Sequence, residues 1–276
     1  MSAKNKLTKA LIKEITAHAE ASYPEECCGV IILTDKGKKY VPCKNTAPNP
    51  TEDFSICPID KMNAEGQGEV VGIVHSHPDS EARPSKKDLA VLNTHYALAT
   101  KFNPDAEAVP WHIISWPEQE LTTTFPNESV PLQDRPFIHN YWDCWQVCAD
   151  YYEREYGLTF PRWQREDLWW EKEDGPSHYE DLFPEAGFDE VSLGDIQRGD
   201  IVVMQIGRTY HPNHAAVYLG SDPTLPDEET NIAGPGPFML HHMYGRKSTV
   251  EVFGGQWEQR TRLVLRHRSL MNATEE

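Results

Sequence analysis

The sequence predicts an α+β chain of two domains, and three observations lead there. With 276 residues there is room for two ordinary domains, each burying its own core. Pro117, Pro126, Pro131 and Pro136 interrupt a polar stretch midway, where no long regular element fits. After that stretch, a helical pattern carrying Cys144 is followed by several short strands of antiparallel type. The expected division is a first domain over 1–116, a proline-rich linker over 117–136 and a second domain over 137–276.

In the first half, Leu7, Leu11, Ile15 and Ala19 recur every four residues and predict an amphipathic helix ending before Pro24. A buried strand over 30–33 follows, then a hairpin turn at Asp35-Lys36-Gly37-Lys38 and a return through Tyr40-Val41. Residues 42–51 read as loop and 54–56 as a short strand. The apolar run 70–75 is a strand, 85 to about 101 a helix, and 111–116 a strand. In the second half, Val147, Cys148, Tyr151 and Tyr152 give helical spacing from Cys144 up to Gly157, a C-cap. A second helix is expected over 162–174, with Leu168, Trp169 and Trp170 as its apolar part. Arg198-Gly199-Asp200 turns into a strand over 201–206, and further strands are expected over 214–219, 237–241 and 261–266. The chain has no internal repeat and no low-complexity tract.

Hydrophobic content of 39% and charged content of 25% describe a folded globular chain. A net charge of −17 argues against a nucleic-acid binder, which needs a basic face to meet phosphates. It argues equally against docking by charge alone on an anionic membrane or cell wall. The six cysteines form no paired C-x-x-C zinc module and are too few for a disulfide framework. The start Met-Ser-Ala-Lys-Asn-Lys-Leu lacks an apolar signal core, and no run approaches 18 apolar residues. A protein that is cytosolic at synthesis, without membrane insertion, is the expectation.

Two stretches carry chemistry. In the first, His75 and His77 follow the apolar run 70–74, and strand alternation points both side chains the same way. Asp88, eleven residues after His77, can supply a third ligand from the next element. Two imidazoles and one carboxylate hold zinc and leave a fourth position for water. Glu26, an acid just before a buried strand, is the candidate general base. Ser85-Lys86-Lys87-Asp88 also matches a capping box, a purely structural use of the same residues. The string His75-Ser76-His77-Pro78, then Ser85 after six residues and Asp88 after two more, resembles the JAMM (MPN+) metallopeptidase motif, a glutamate followed by H-[ST]-H-P-x6-S-x2-D. The resemblance implies zinc on His75, His77 and Asp88, Glu26 as base in preference to Glu25, Ser85 at the developing oxyanion, and a JAMM/MPN-type α/β sheet domain.

In the second stretch, Cys144 sits at the expected start of a helix, where the dipole and free N–H groups favour thiolate. A cysteine nucleophile needs a partner histidine. His211, His214, His241 and His242 all follow it. A lone cysteine is otherwise a small buried hydrophobe, as Cys148 is expected to be. Asp143-Cys144, Gly199-Asp200-Ile201-Val202-Val203 and Asn213-His214-Ala215-Ala216-Val217-Tyr218-Leu219-Gly220 together resemble the NlpC/P60 family of papain-like cysteine peptidases. That resemblance implies a papain-like α+β domain, Cys144 as nucleophile, His214 as base and a third orienting residue from the next strand. His241 is preferred there, with His242 the opposite-face rival. The chain departs from the family in Trp145, where a small residue is usual and whose bulk is expected to narrow the cleft.

The order of these two domains resembles that of the K-like tail-tip assembly proteins of long-tailed bacteriophages. It implies amide hydrolysis at two centres, with peptidoglycan stem peptides or a tail protein as substrate and other tail-tip proteins as partners. Synthesis in the host cytoplasm and residence at the virion tail tip are the matching locations. The rival reading is an assembly factor whose active sites are secondary, or a maturation protease acting on tail proteins.

Overall fold

The computed structural model describes residues 7–127, 130–230, 232 and 234–271. The chain is mixed helix and sheet, and it divides into two compact units, 1–129 and 130–276.

Unit 1 opens with α1 (Lys9–Ser22), whose N-cap Thr8 accepts from the Leu11 amide at 3.2 Å. Its stripe Leu11, Ile15 and Ala19 is buried in one cluster with Ile31, Val71, Val74 and Ile114 of the sheet. The hairpin β1 (Cys28–Thr34) and β2 (Gly37–Cys43) turns where Asp35 and Lys36 were expected to turn it. Gly29 is required here, because a Cβ would stand 2.6 Å from the Val41 carbonyl oxygen and 2.7 Å from the Tyr40 ring. α2 (Pro58–Glu65), not anticipated from the sequence, starts with proline at its first position and covers Cys28, Val30 and Ile32 through Ala64. β3 (Glu69–Pro78) runs antiparallel to β1 and parallel to β4 (Trp111–Trp116), with α3 (Lys86–Phe102) as the crossover that a parallel pair needs. β5 (Leu121–Thr124) completes the order β2-β1-β3-β4-β5. That strand lies inside the stretch expected as a linker, its three consecutive threonines suiting an edge strand between Pro117 and Pro126. The strand expected over 54–56 is reduced to a single bridge, Asn45 with Ile56.

Unit 2 is a six-stranded sheet with a helix on one face. α4 (Cys144–Tyr156) ends at Gly157, left-handed at φ 67°, as its sequence indicates. The helix expected over 162–174 does not form. Side chains of the loop before α4 hold the Arg165 backbone instead: Asn140 Nδ2 and His139 Nε2 lie 2.9 and 3.0 Å from the Arg165 carbonyl, and Asn140 Oδ1 accepts from the Arg165 amide at 3.0 Å. Leu168 is left-handed at φ 53°, which leaves only a 3-10 turn at Trp169–Glu171. After α5 (His178–Leu182), the strands β6 (Phe188–Val191), β7 (Ile201–Met204), β8 (His214–Gly220), β9 (Phe238–His241), β10 (Thr249–Val252), then α6 (Gln256–Arg260), β11 (Thr261–His267) and α7 (Arg268–Met271) complete the unit. The sheet order is β10-β9-β8-β7-β11-β6. α4 buries Val147, Cys148, Tyr151 and Tyr152 in one cluster with Ala215, Val217, Leu240 and Val250. Asp200, fully buried, accepts twice from Arg266 at 2.8 Å and so ties the start of β7 to β11.

Candidate functional site

Unit 1 assembles its candidate metal centre where β3 meets α3. Cys27 and Ser76 are cross-linked twice, Cys27 N donating to Ser76 Oγ at 2.7 Å and Ser76 N to the Cys27 carbonyl at 3.0 Å. That pairing sets Glu26 beside the histidine strand. Glu26 is buried and coupled electrostatically to His77 and Asp88, whereas Glu25 is exposed. His75 and His77, two residues apart on β3, bring their Nε2 atoms to 3.1 Å of one another. Asp88 Oδ1 lies 3.4 Å from His75 Nε2 and Oδ2 lies 3.3 Å from His77 Nε2.

Those three separations are the test of whether a metal fits. Zinc bonds of about 2.0–2.1 Å in a tetrahedron set ligand atoms roughly 3.3–3.4 Å apart. The three buried side chains meet that spacing and form a group able to hold an ion such as zinc. His77 Nδ1 lies 3.0 Å from the Glu81 carbonyl, an acceptor only, so Nδ1 carries the proton and Nε2 is free to bind. His75 is stacked on Phe54 at 4.3 Å and flanked by the edge of Trp111, which fixes the ring without hydrogen bonding it. Its Nδ1 is buried with no hydrogen-bond partner among the described residues.

Ser85 and Asp88 do make the full capping box: Asp88 N donates to Ser85 Oγ at 3.0 Å and Ser85 N to Asp88 Oδ2 at 2.7 Å. The structural and chemical uses of Asp88 are therefore compatible, since the cap aims the carboxylate at the histidines. Burial would raise the Asp88 carboxyl, but the close approach of His75 and His77 and the hydrogen bond from the Ser85 amide outweigh it and hold the group well below the usual range. Burial pushes Glu26 the other way, up to about 8. An acid poised near neutrality is what a general base requires.

Unit 2 assembles a cysteine site at the start of α4. Asp143 caps the helix, one carboxylate oxygen accepting from Gln146 N at 3.0 Å and the other from Arg165 Nη2 at 2.7 Å and Asn140 N at 2.8 Å. Cys144 Sγ lies 3.1 Å from Tyr179 Oη and 4.0 Å from the Asn213 carbonyl, one residue before His214. Cys144 and His214 line one cleft with Tyr179, Asn213, Trp170 and Tyr244. Asn213 sets the start of β8, its side chain bonding both the amide and the carbonyl of Ile206. Burial, with Asp143, raises the Cys144 thiol, and Tyr179 and Arg165 only partly offset it. Burial also holds His214 well below its usual value. Both shifts favour the uncharged form of each group.

His214 Nε2 lies 3.0 Å from His241 Nδ1. β8 and β9 pair Ala216 with His241, so His241 and His214 share a face one diagonal step apart. His242 points to the opposite face, its Nε2 3.1 Å from the Arg246 carbonyl. Trp145 does not line the cleft. Its half-buried ring packs against Phe160 and Trp163, each at 5.7 Å, and lines the apolar pocket next to the cleft, which shares Arg165, Trp169 and Tyr179 with it. Three participants escape sequence reasoning: Tyr179 on the sulfur, Arg165 on Asp143, and Glu251, whose Oε1 lies 3.4 Å from His241 Nε2. Alternation in Thr-Val-Glu-Val is the single signal for Glu251, and nothing local marks the other two.

The family model for prokaryotic homologs of the JAB domain matches residues 8–125, and the NlpC/P60 family matches 134–266. Both are peptidase families. The chain is similar to tail tip assembly protein K of Escherichia phage N15, 37% identical over 259 residues that cover 94% of this chain and 95% of that protein. It is 31% identical to tail tip assembly protein K of Escherichia phage lambda over 215 residues, 78% of this chain and 90% of that protein. Among solved structures it is similar to a JAB1/MPN domain protein from Archaeoglobus fulgidus, 19% identical with a TM-score of 0.25, covering 42% of this chain and 82% of that chain.

Proposed function

The chain belongs to the family of phage tail tip assembly proteins K, and on that premise we propose that it hydrolyses amide bonds at two separate centres while serving at the tail tip. The observation that supports the reading is that residues of both constellations lie close together: three ligand atoms 3.1–3.4 Å apart, and Cys144 lining one cleft with His214, which stands 3.0 Å from His241. His75, His77 and Asp88 would hold zinc, which when bound supplies a Lewis acid that acidifies water. Glu26 accepts the water proton, and Ser85 still has a hydroxyl proton to donate toward the developing oxyanion.

At the second centre His214 takes the Cys144 proton, and the sulfur attacks the substrate carbonyl to give a thioester that water then hydrolyses. His241 orients His214. The substrate class is the stem peptides of peptidoglycan, met as the tail tip reaches a cell wall. Other tail-tip proteins are the partners. Incubation with purified peptidoglycan tests the reading: wild type releases stem-peptide fragments and Cys144→Ala does not. Undiminished release by that variant refutes the assignment of the nucleophile.

The relatives' shared name supports a second reading, in which assembly is the main task and the substrate is a tail protein cut during maturation. Complementation of tail assembly by Cys144→Ala and His75→Ala separates the two. Normal tails from both variants favour an enzyme acting on the wall, and aborted tails favour maturation.

A further inference from the structure

Three adjacent strands put three polar side chains on one face of the second sheet. His214 begins β8, His241 ends β9, and Glu251 lies in β10, whose register pairs Thr249 with His241 and Glu251 with Met239. Each step is therefore a diagonal one, His214 to His241 at 3.0 Å and His241 to Glu251 at 3.4 Å. The Trp257 ring lies 5.1 Å from His241 and 6.2 Å from His214, covering both from the same side.

The direction of every proton in this row follows from its last member. A carboxylate only accepts, so His241 Nε2 must carry the proton between it and Glu251. A neutral His241 then has a bare Nδ1, which only accepts, so His214 Nε2 must carry the proton between the two rings. The remaining nitrogen of His214, Nδ1, is left as its one basic lone pair. We propose that Glu251 is a positioning residue that sets the tautomers of both His241 and His214, leaving His214 Nδ1 to take the Cys144 proton. The proposal rests on the reading of Cys144 and His214 as nucleophile and base. When the proton moves from Sγ to Nδ1, His214 becomes cationic, and the negative charge at the end of the row stabilises that cation through His241.

The charged and titratable groups facing this row are few. His214 faces His241 and feels the charge of His242 from the other face; His241 faces His214 and Glu251; Glu251 faces His241, the Trp257 indole and Arg246. The His241 hydrogen bond holds the Glu251 carboxyl below its usual range, so the acceptor remains ionised across the neutral range. Around the sulfur stand Tyr179, Asp143 and Arg165, which a change at Glu251 does not touch.

Two measurements on the full chain test this without knowledge of the substrate. Long-range proton–nitrogen correlation on protein labelled with 15N-histidine reads the tautomers directly. Wild type is expected to show Nε2–H for both His214 and His241, Glu251→Gln to keep them through its amide oxygen, and Glu251→Leu to lose the single tautomer at His241. Iodoacetamide alkylation of Cys144 from pH 5 to 10, read by peptide mass mapping, reports the thiolate. Glu251→Leu is expected to slow it about tenfold at pH 7 and to move the profile to higher pH, with Glu251→Gln between the two. An Nδ1–H tautomer at His241 in wild type, or wild-type spectra and alkylation in Glu251→Leu, overturns the proposal. His214→Ala separates the two layers: if it leaves alkylation unchanged, the pairing of Cys144 with His214 fails, while the tautomer spectra still decide whether Glu251 sets the rings.

Discussion

Replacing Glu26 with glutamine should stabilise the metal-free protein, and by an amount that grows with pH. Glu26 is 8% exposed, and burial raises its carboxyl from 4.5 to about 8. Below pH 4.5 the group is protonated in folded and unfolded chains alike and contributes no pH dependence. Above that, the unfolded chain ionises while the folded one holds its proton, so stability falls as pH rises until about pH 8. The penalty works out at about 1 kcal/mol at pH 5.5, about 3 kcal/mol at pH 7 and roughly 5 kcal/mol well above pH 8, as upper bounds. Glutamine has the shape of the protonated acid and no charge to bury. Hydrogen exchange of the β1 and β3 amides across a urea series, with a chelator present, isolates unit 1 from unit 2. The expected gain for Glu26→Gln is small at pH 5.5 and about 1–3 kcal/mol at pH 7. A gain independent of pH, or a loss of stability at pH 8, would refute the claim that Glu26 is held as a buried, poised acid.

Other changes follow from the same geometry. Native mass spectrometry should find about one zinc per chain, and His75→Ala should lose it; metal content unchanged in that variant contradicts the ligand set. Arg165→Met leaves the buried Asp143 carboxylate without its ion pair and should lower unfolding free energy by about 3–5 kcal/mol in urea titration. A change under about 1 kcal/mol would mean that water replaces the guanidinium. Ser85→Ala removes the acceptor of the Asp88 amide and should cost about 1 kcal/mol, read as a lower unfolding temperature of the metal-free protein.

What the sequence discloses depends on how local each cause is. His75 and His77 are legible because strand alternation alone puts them on one side, and Asp88 because a helix cap fixes where its carboxylate points. Cys144 is legible as the residue that opens a helical pattern. The Trp145 ring and the 162–174 backbone are not. Their outcomes depend on Phe160, Trp163, His139 and Asn140, contacts that no periodicity encodes. The short elements β6 and β10, four residues each, carry too few alternations to stand out, and β10 brings Glu251 into the row. β5 was hidden by the prolines around it, which bound the strand at its ends without interrupting it.

The central proposal is that two centres hydrolyse amide bonds in one chain, each without the other. Its most direct test is mass spectrometric mapping of every peptide product released from purified peptidoglycan and from tail-tip proteins by wild type, His75→Ala and Cys144→Ala. The account predicts two product sets, one lost only in His75→Ala and the other only in Cys144→Ala. A single set lost in either variant, or products unchanged in both, would contradict it.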